Sequence, residues 1–338
     1  MKRFITNIIV FTILLYFTAA FFDKIISIGL MKSETKIFYS LKNINEGKIN
    51  ADIIINGSSK AFKQVDPVII DTILGVNSYN LGLDGGPFIP QRAQYEIYKL
   101  KNIKPKVIIQ IVSNGTLRSL KDGFKDPIKF APFLNISEVK KNMKLTGSFN
   151  YWDYHIPMLR YSYFPFEIIT GTLSFFNIQL FKTKDLKGYS PENKFWSEKS
   201  QDKIGISNKI KEIENSNNLQ KVDIFTSLDS ISCENFESFI AECRKDKINV
   251  ILVYPPIYTE ADKTIKHIEY FDKIAKKYNI PFLNYSRDSL LVYNRNYFYN
   301  SQHLNIKGAS VFTKKLSEDI KSLTNNTLNR NKKKIKVN

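Results

Sequence analysis

Two short segments far apart in the sequence carry residues able to do acyl chemistry. The first is Asn56-Gly57-Ser58-Ser59-Lys60-Ala61, which continues the apolar run of residues 51–55. The second is Tyr299-Asn300-Ser301-Gln302-His303-Leu304-Asn305, just before a final amphipathic stretch. A serine hydroxyl is a weak nucleophile until an adjacent base takes its proton, and histidine suits that work near neutral pH. The chain has 3 histidines. His155 lies in an aromatic-rich stretch and His267 inside a predicted helix, which leaves His303 as the base candidate. The bland alternatives are a helix cap for Ser58 or Ser59 and a capping or packing role for His303.

The elements that must position these residues follow an α/β rhythm. Beyond about residue 50, apolar runs alternate with amphipathic ones, which predicts helices layered on a mainly parallel sheet. Residues 51–56, 78–83, 106–113, 249–255 and 280–285 read as strands, and 65–74, 87–103, 230–247, 260–278 and 306–323 as helices. Ligand sites in such sheets lie outside the carboxyl ends of the strands. The serine turn leaves the first strand at that edge, and the His303 loop follows the last strand, so the two can meet there. Gly57 permits the sharp turn, and a serine at the mouth of the next helix turns its backbone N–H toward a developing oxyanion. Regular alternation stops over about 115–215, where NYWDYHIPMLRYSYFPFEIITGTLSFF is dense in rings. That stretch is expected to be an insertion or lid on the domain. Residues 222–226 read as a further strand or as a connecting segment.

Gly57-Ser58-Ser59 after the first strand, the glycine turn of residues 80–86 after the second, and His303-Leu304-Asn305 followed by Lys307-Gly308-Ala309 together resemble the SGNH/GDSL hydrolase superfamily. The nearest likeness is to its membrane-anchored branch, which includes D-alanyl transfer proteins of teichoic acid synthesis and alginate O-acetylation proteins. It covers most of residues 51–325 outside the insertion. The resemblance implies a three-layer α/β/α, flavodoxin-like fold with Ser59 as nucleophile and Ser58 where the family often has aspartate. It implies an oxyanion hole from the backbone N–H groups of Ser59 and Gly82 and the side chain of Asn114. Gly82 reads equally as an ordinary strand-end turn. Asn114 also reads as a plain loop residue, because its spacing departs from the family's GxND.

The family's last block is DxxH, and here Asn300 stands three residues before His303. An asparagine can hold an imidazole but cannot stabilise the imidazolium as a carboxylate does, and the equivalent exchange in the serine protease template lowers turnover by about 10⁴. Three outcomes follow: a Ser59/His303 dyad oriented by Asn300, a carboxylate supplied from elsewhere such as Asp288 or Asp84, or a site that binds without turnover.

Residues 4–22 form an uncharged apolar run behind Lys2 and Arg3. That is long enough to cross a bilayer as helix, whereas a cleaved signal usually has an apolar region of only about 7–15 residues. An uncleaved single-pass anchor in a bacterial inner membrane is expected, with the bulk of the chain on the periplasmic or outer side. Residues 31–50 then read as a linker and 326–338 as a solvated basic tail. Lys and Arg exceed Asp and Glu by 50 to 32. Such an excess favours anionic neighbours. Outside the cytoplasm these are phospholipids and envelope polymers, not nucleic acid. Cys233 and Cys243 lie ten residues apart on a predicted helix, about 15 Å, too far for a disulfide. No zinc spacing is present, and neither metal nor cofactor is expected. The expected function is a serine esterase or O-acyltransferase acting on acyl esters of an envelope polysaccharide. The rings of Tyr151, Trp152, Tyr154 and Tyr161 could stack on sugars, rest at the membrane or pack in the core. The resemblance implies a membrane-bound acyltransferase as a partner. The alternative is a non-catalytic glycan-binding or assembly protein that keeps the fold.

Overall fold

The computed structural model describes residues 1–120, 123–196, 228–260 and 266–335, with side chains as far as 323 in the last helix. In chain order the main elements are α1 (Lys2–Lys32), α2 (Tyr39–Asn45), β1 (Ile53–Asn56), α3 (Ser59–Gln64), α4 (Pro67–Leu74), β2 (Ser78–Asn80), α5 (Phe88–Lys101) and β3 (Val107–Ile111). Then come α6 (Ser137–Leu145), α7 (Pro165–Phe175), α8 (Ser230–Lys245), β4 (Asn249–Tyr254), α9 (Lys266–Tyr278), β5 (Phe282–Asn284), β6 (Phe298–Asn300), β7 (His303–Leu304) and α10 (Ile306–Ile335). The chain divides into two compact units, one of residues 1–50, 89–103 and 120–185, the other of 51–88, 104–119 and 186–338.

The second unit is built on a five-stranded sheet in the order β2-β1-β3-β4-β5, with every pairing parallel. The β-branched triplet Ile53-Ile54-Ile55 pairs with Val107-Ile108-Ile109 of β3. Ile53 and Ile55 on one face and Ile54 on the other are all buried, so both faces of the sheet are covered. On the first face these strands pack with Ile70 of α4 and with Ala309, Phe312 and Leu316 of α10. The order 2-1-3-4-5 is that of doubly wound sheets, whose ligand crevice opens where β1 and β3 lead away in opposite directions.

Local signals set the element ends. Asp66 stays extended before Pro67, and its carboxylate accepts the Val68 N–H, so α4 starts at Pro67 and not at residue 65. Gly75 at φ +66° closes it. The short helix α3 ahead of it was not expected. The second and fifth strands are shorter than predicted, and the final helix runs to Ile335 instead of 323, taking in most of the expected tail. Residues 222–226 and the predicted start of the helix at 261–265 lie outside the described residues.

The first unit gathers what the sequence suggested were separate pieces. The expected linker carries α2, with Phe38, Leu41 and Ile44 buried. Of the expected insertion, residues 120–185 group with α1 and most of α5, and residues 186–196 group with the sheet unit. α1 changes character along its length: its apolar run to Phe22 is largely exposed, whereas Ile26, Gly29 and Leu30 are buried. A Cβ at Gly29 would collide with the Gly171 carbonyl oxygen, so α1 and α7 touch backbone to backbone. Neither Cys233 nor Cys243 is in a disulfide, and Cys243 is buried.

Candidate active site

At the exit of β1, Gly57 holds φ +156°, and a Cβ there would stand 2.9 Å from the Cβ atoms of both Ala61 and Ile111. Glycine alone fits this turn. The two serines divide the roles open to them. Ser58 caps α3, its hydroxyl accepting the Lys60 N–H at 3.4 Å. Ser59 takes the first helical position, half-buried, with its hydroxyl directed at the Nε2 of His303 at 2.7 Å.

The expected loop around His303 is a two-stranded hairpin, β6 and β7, in which Asn300 pairs directly with His303 across Ser301-Gln302. Directly paired residues of an antiparallel ladder project to the same face. The spacing of three residues is therefore the spacing of a tight turn, and it sets the Asn300 Oδ1 3.1 Å from the His303 Nδ1. The same Oδ1 accepts the backbone N–H of Gln302 at 2.9 Å. A backbone N–H can only donate, so the atom facing it is oxygen and the Asn300 amide has one orientation. The imidazole must then carry its proton on Nδ1. Its Nε2 lone pair is left to accept the Ser59 O–H, the tautomer a general base requires.

The surroundings of His303 are cationic. Its pKa lies well below the ordinary histidine value, first through burial and then through the charges of Lys60 and Lys63. Lys60 is buried, and its Nζ donates to the Gln302 carbonyl oxygen at 2.5 Å. Burial lowers the Lys60 pKa to about 8, with Glu260 opposing the shift. The Gln302 side chain donates in turn to the Thr259 hydroxyl at 2.7 Å. Tyr299 stacks on the imidazole, with ring centroids 5.5 Å apart and planes 16° from parallel. Among the described residues no carboxylate contributes to the shift of His303. Asp288 is engaged with Lys315 and accepts the Leu290 N–H, and the charge of Asp84 acts on Tyr299.

The three groups expected to form an oxyanion hole stand in different settings. Ser59 offers its N–H as one of the orphan donors at a helix start. Gly82 does not share the role here, because its N–H donates to the Asn80 Oδ1 at 2.7 Å. The amide nitrogen of Asn80 reaches the Ala61 and Val65 carbonyls. A Cβ at Gly82 would collide with the Phe62 backbone, so this glycine serves the close approach of α3. Asn114 is half-buried in the turn after β3, and its backbone N–H is directed to the Tyr254 hydroxyl. The third part of the sequence pattern is structural: Asn305 Oδ1 accepts the Gly308 N–H at the start of α10, and its amide reaches the Asn296 and Phe298 carbonyls.

Lys60, Gln302 and Tyr299 were not singled out from the sequence. Lys60 had a signal, since a lysine in the first turn of a helix opposes the helix dipole and must find its stabilisation elsewhere. A cleft of about 650 Å³ that includes Lys32, Glu34, Lys42 and Lys182 in its lining belongs to the first unit and shares no residue with this cluster. Comparison with models of protein families gives no match for the chain, and comparison with curated proteins gives no similar sequence.

Proposed function

We propose that this protein is a membrane-anchored serine ester enzyme of the SGNH type, an esterase or O-acyltransferase acting on acyl esters of an envelope polysaccharide. The observation that carries the reading is the relay Ser59–His303–Asn300, with the imidazole held in the tautomer that accepts the serine proton. In the first step Ser59 Oγ bonds to the acyl carbonyl carbon while its proton passes to His303 Nε2. The Ser59 N–H faces the oxyanion. The imidazolium then returns the proton to the departing alcohol oxygen, and the C–O bond to that alcohol breaks. The resulting acyl-serine is relieved by water in an esterase or by a sugar hydroxyl in a transferase. A three-layer, doubly wound arrangement suits this reading, because Ser59 and Asn114 follow β1 and β3 at the switch point. The exposed apolar length of α1 supports an anchor that holds the unit at a membrane.

A second reading, a glycan-binding protein without turnover, is favoured by one observation. Among the described residues no carboxylate acts on His303 itself, while burial and then Lys60 and Lys63 lower its pKa, so the imidazolium needed in the transition state is disfavoured. Fluorophosphonate labelling of the full chain, with Ser59→Ala as control, decides between them. A Ser59-dependent adduct together with Ser59-dependent release of acetate from an acetylated glycan is the expected result. Absence of both leaves binding alone.

A further inference from the structure

The first unit exposes an unusual set of large apolar side chains just where α1 leaves its exposed stretch. Tyr151 (67% exposed), Trp152 (58%), Ile156 (45%), Tyr163 (84%), Phe166 (49%) and Ile169 (55%) lie in the turns before α7 and in its first half. Polar bonds fix the level along α1 of the turn between them, Met158 to Tyr161. The Asp23 carboxylate accepts the Met158 N–H at 2.9 Å and Arg160 Nη2 at 2.5 Å. One turn further on, the Ser27 hydroxyl meets the Tyr161 hydroxyl at 2.8 Å and Arg160 at 3.1 Å.

Asp23 directly follows the last apolar residue of the run, Phe22. Ser27 stands about 6 Å further along the helix at 1.5 Å per residue. The headgroup layer on each side of a hydrocarbon core of ~30 Å is about 5–8 Å deep. A span that ends at Phe22 therefore puts Met158 to Tyr161, which the exposed rings flank in sequence, in that layer. Trp and Tyr are enriched at such interfaces, where the ring meets lipid and the polar edge meets water. The apolar run of α1 has no buried residue up to Phe22, and a hydrocarbon layer is a cover that suits it. The same lipid continues over the neighbouring rings.

We propose that residues 151–169 form an interfacial collar that seats the first unit on the bilayer beside α1, with the phospholipid headgroup and upper acyl region as its partner. The proposal rests on α1 spanning a membrane. Trp152 is one of only 2 tryptophans, so Trp196→Phe leaves a single reporter. The full chain bearing that change would be reconstituted in phosphatidylethanolamine–phosphatidylglycerol vesicles carrying lipids brominated either near the carbonyl or near the methyl end. Trp152 emission should be quenched at least twofold more by the shallow bromines. A nitroxide at Tyr163→Cys, in a Cys233→Ser background, should report the same shallow depth. No quenching by either lipid, with the chain still in the vesicles after an alkaline carbonate wash, would overturn the collar and leave the anchor standing. Quenching relieved by added acetylated glycan and not dependent on bromine depth would also overturn it, in favour of sugar stacking. Loss of the chain in the wash would remove anchor and collar together.

Discussion

Ser27 and Ser59 each sit within a hydrogen-bonded cluster assembled from distant parts of the sequence, and the two clusters treat charge in different ways. The Ser27 hydroxyl lies within bonding distance of the Asp23 carbonyl, Tyr161 and Arg160, and the guanidinium is matched by the Asp23 carboxylate. Cation and anion there face each other at 2.5 Å. In the Ser59 cluster Glu192 pairs with Lys63 at 3.7 Å and Glu260 acts on Lys60, but among the described residues no carboxylate acts on the base, whose orienter is neutral, and the serine is half-buried. A charge-matched cluster pins two segments together. A base without a carboxylate beside it is not held in that way, and the same substitution made in both should give opposite results.

Serine to alanine is the most direct way to break the comparison. Ser59→Ala should lower ester turnover by ~10³-fold or more, while stability stays within about 0.5 kcal/mol of wild type. Thermal unfolding alongside an acetyl-ester assay reads both. A large loss of stability would mean that Ser59 is a structural residue like Ser27. Next in size is Asn300→Asp, which supplies the missing carboxylate without altering the hairpin, since an Asp oxygen can accept both the Gln302 N–H and the His303 Nδ1–H. It should recover part of the ~10⁴ that such an exchange costs in the serine protease template. A rise in kcat of roughly 10- to 100-fold is expected. An unchanged or lower kcat would argue that the site binds and does not turn over.

What was legible in the sequence followed from local physics. The apolar triplets of β1 and β3 and the placement of the serine turn at the sheet edge came from patterning, and the structure has them. The pairing of Ser59 with His303 came from chain order and strand-end placement, and the two side chains meet at 2.7 Å. What was not legible depended on partners remote in sequence. Gly82 was expected as an oxyanion donor only through the family resemblance, and its N–H is instead taken by the Asn80 side chain. Residues 31–50 looked like a linker because α2 is only 7 residues long and gains its burial from tertiary packing. The grouping of residues 120–185 with α1 had no periodic signature at all. It rests on the close approach of Gly29 and Gly171 and on the Asp23–Arg160 pair, each separated by more than a hundred positions.

The matched cluster should yield a smaller effect of the other kind. Ser27→Ala removes an acceptor from Arg160 and a partner from Tyr161, and should cost about 1–2 kcal/mol of stability. Denaturation in detergent micelles measures the cost. Fluorophosphonate labelling of Ser59 in the folded fraction should be unchanged, and a loss of labelling would show that the two clusters are not functionally distinct.

The smallest expected effect concerns Lys60, and it is the most specific to this site. The His303 pKa is lowered, so the neutral base persists as pH falls and activity should be lost only well below the ordinary histidine range. Lys60 has its own pKa lowered to about 8 by burial. Below that pH its charge opposes the imidazolium that forms when Ser59 attacks, and above it the opposition is relieved. The pH profile of kcat/KM, corrected with the Ser59→Ala background, should therefore show an acid limb and a second, modest rise near pH 8. Lys60→Met removes the charge at both stages. It should move the acid limb upward toward ordinary histidine behaviour and abolish the second rise. A several-fold gain at pH 7 should follow if the loop stays in place without the Lys60–Gln302 bond, as retained Ser59 labelling would verify. A profile with no inflection near 8, unchanged by the substitution, would mean that this lysine holds the Gln302 carbonyl and does nothing to the base.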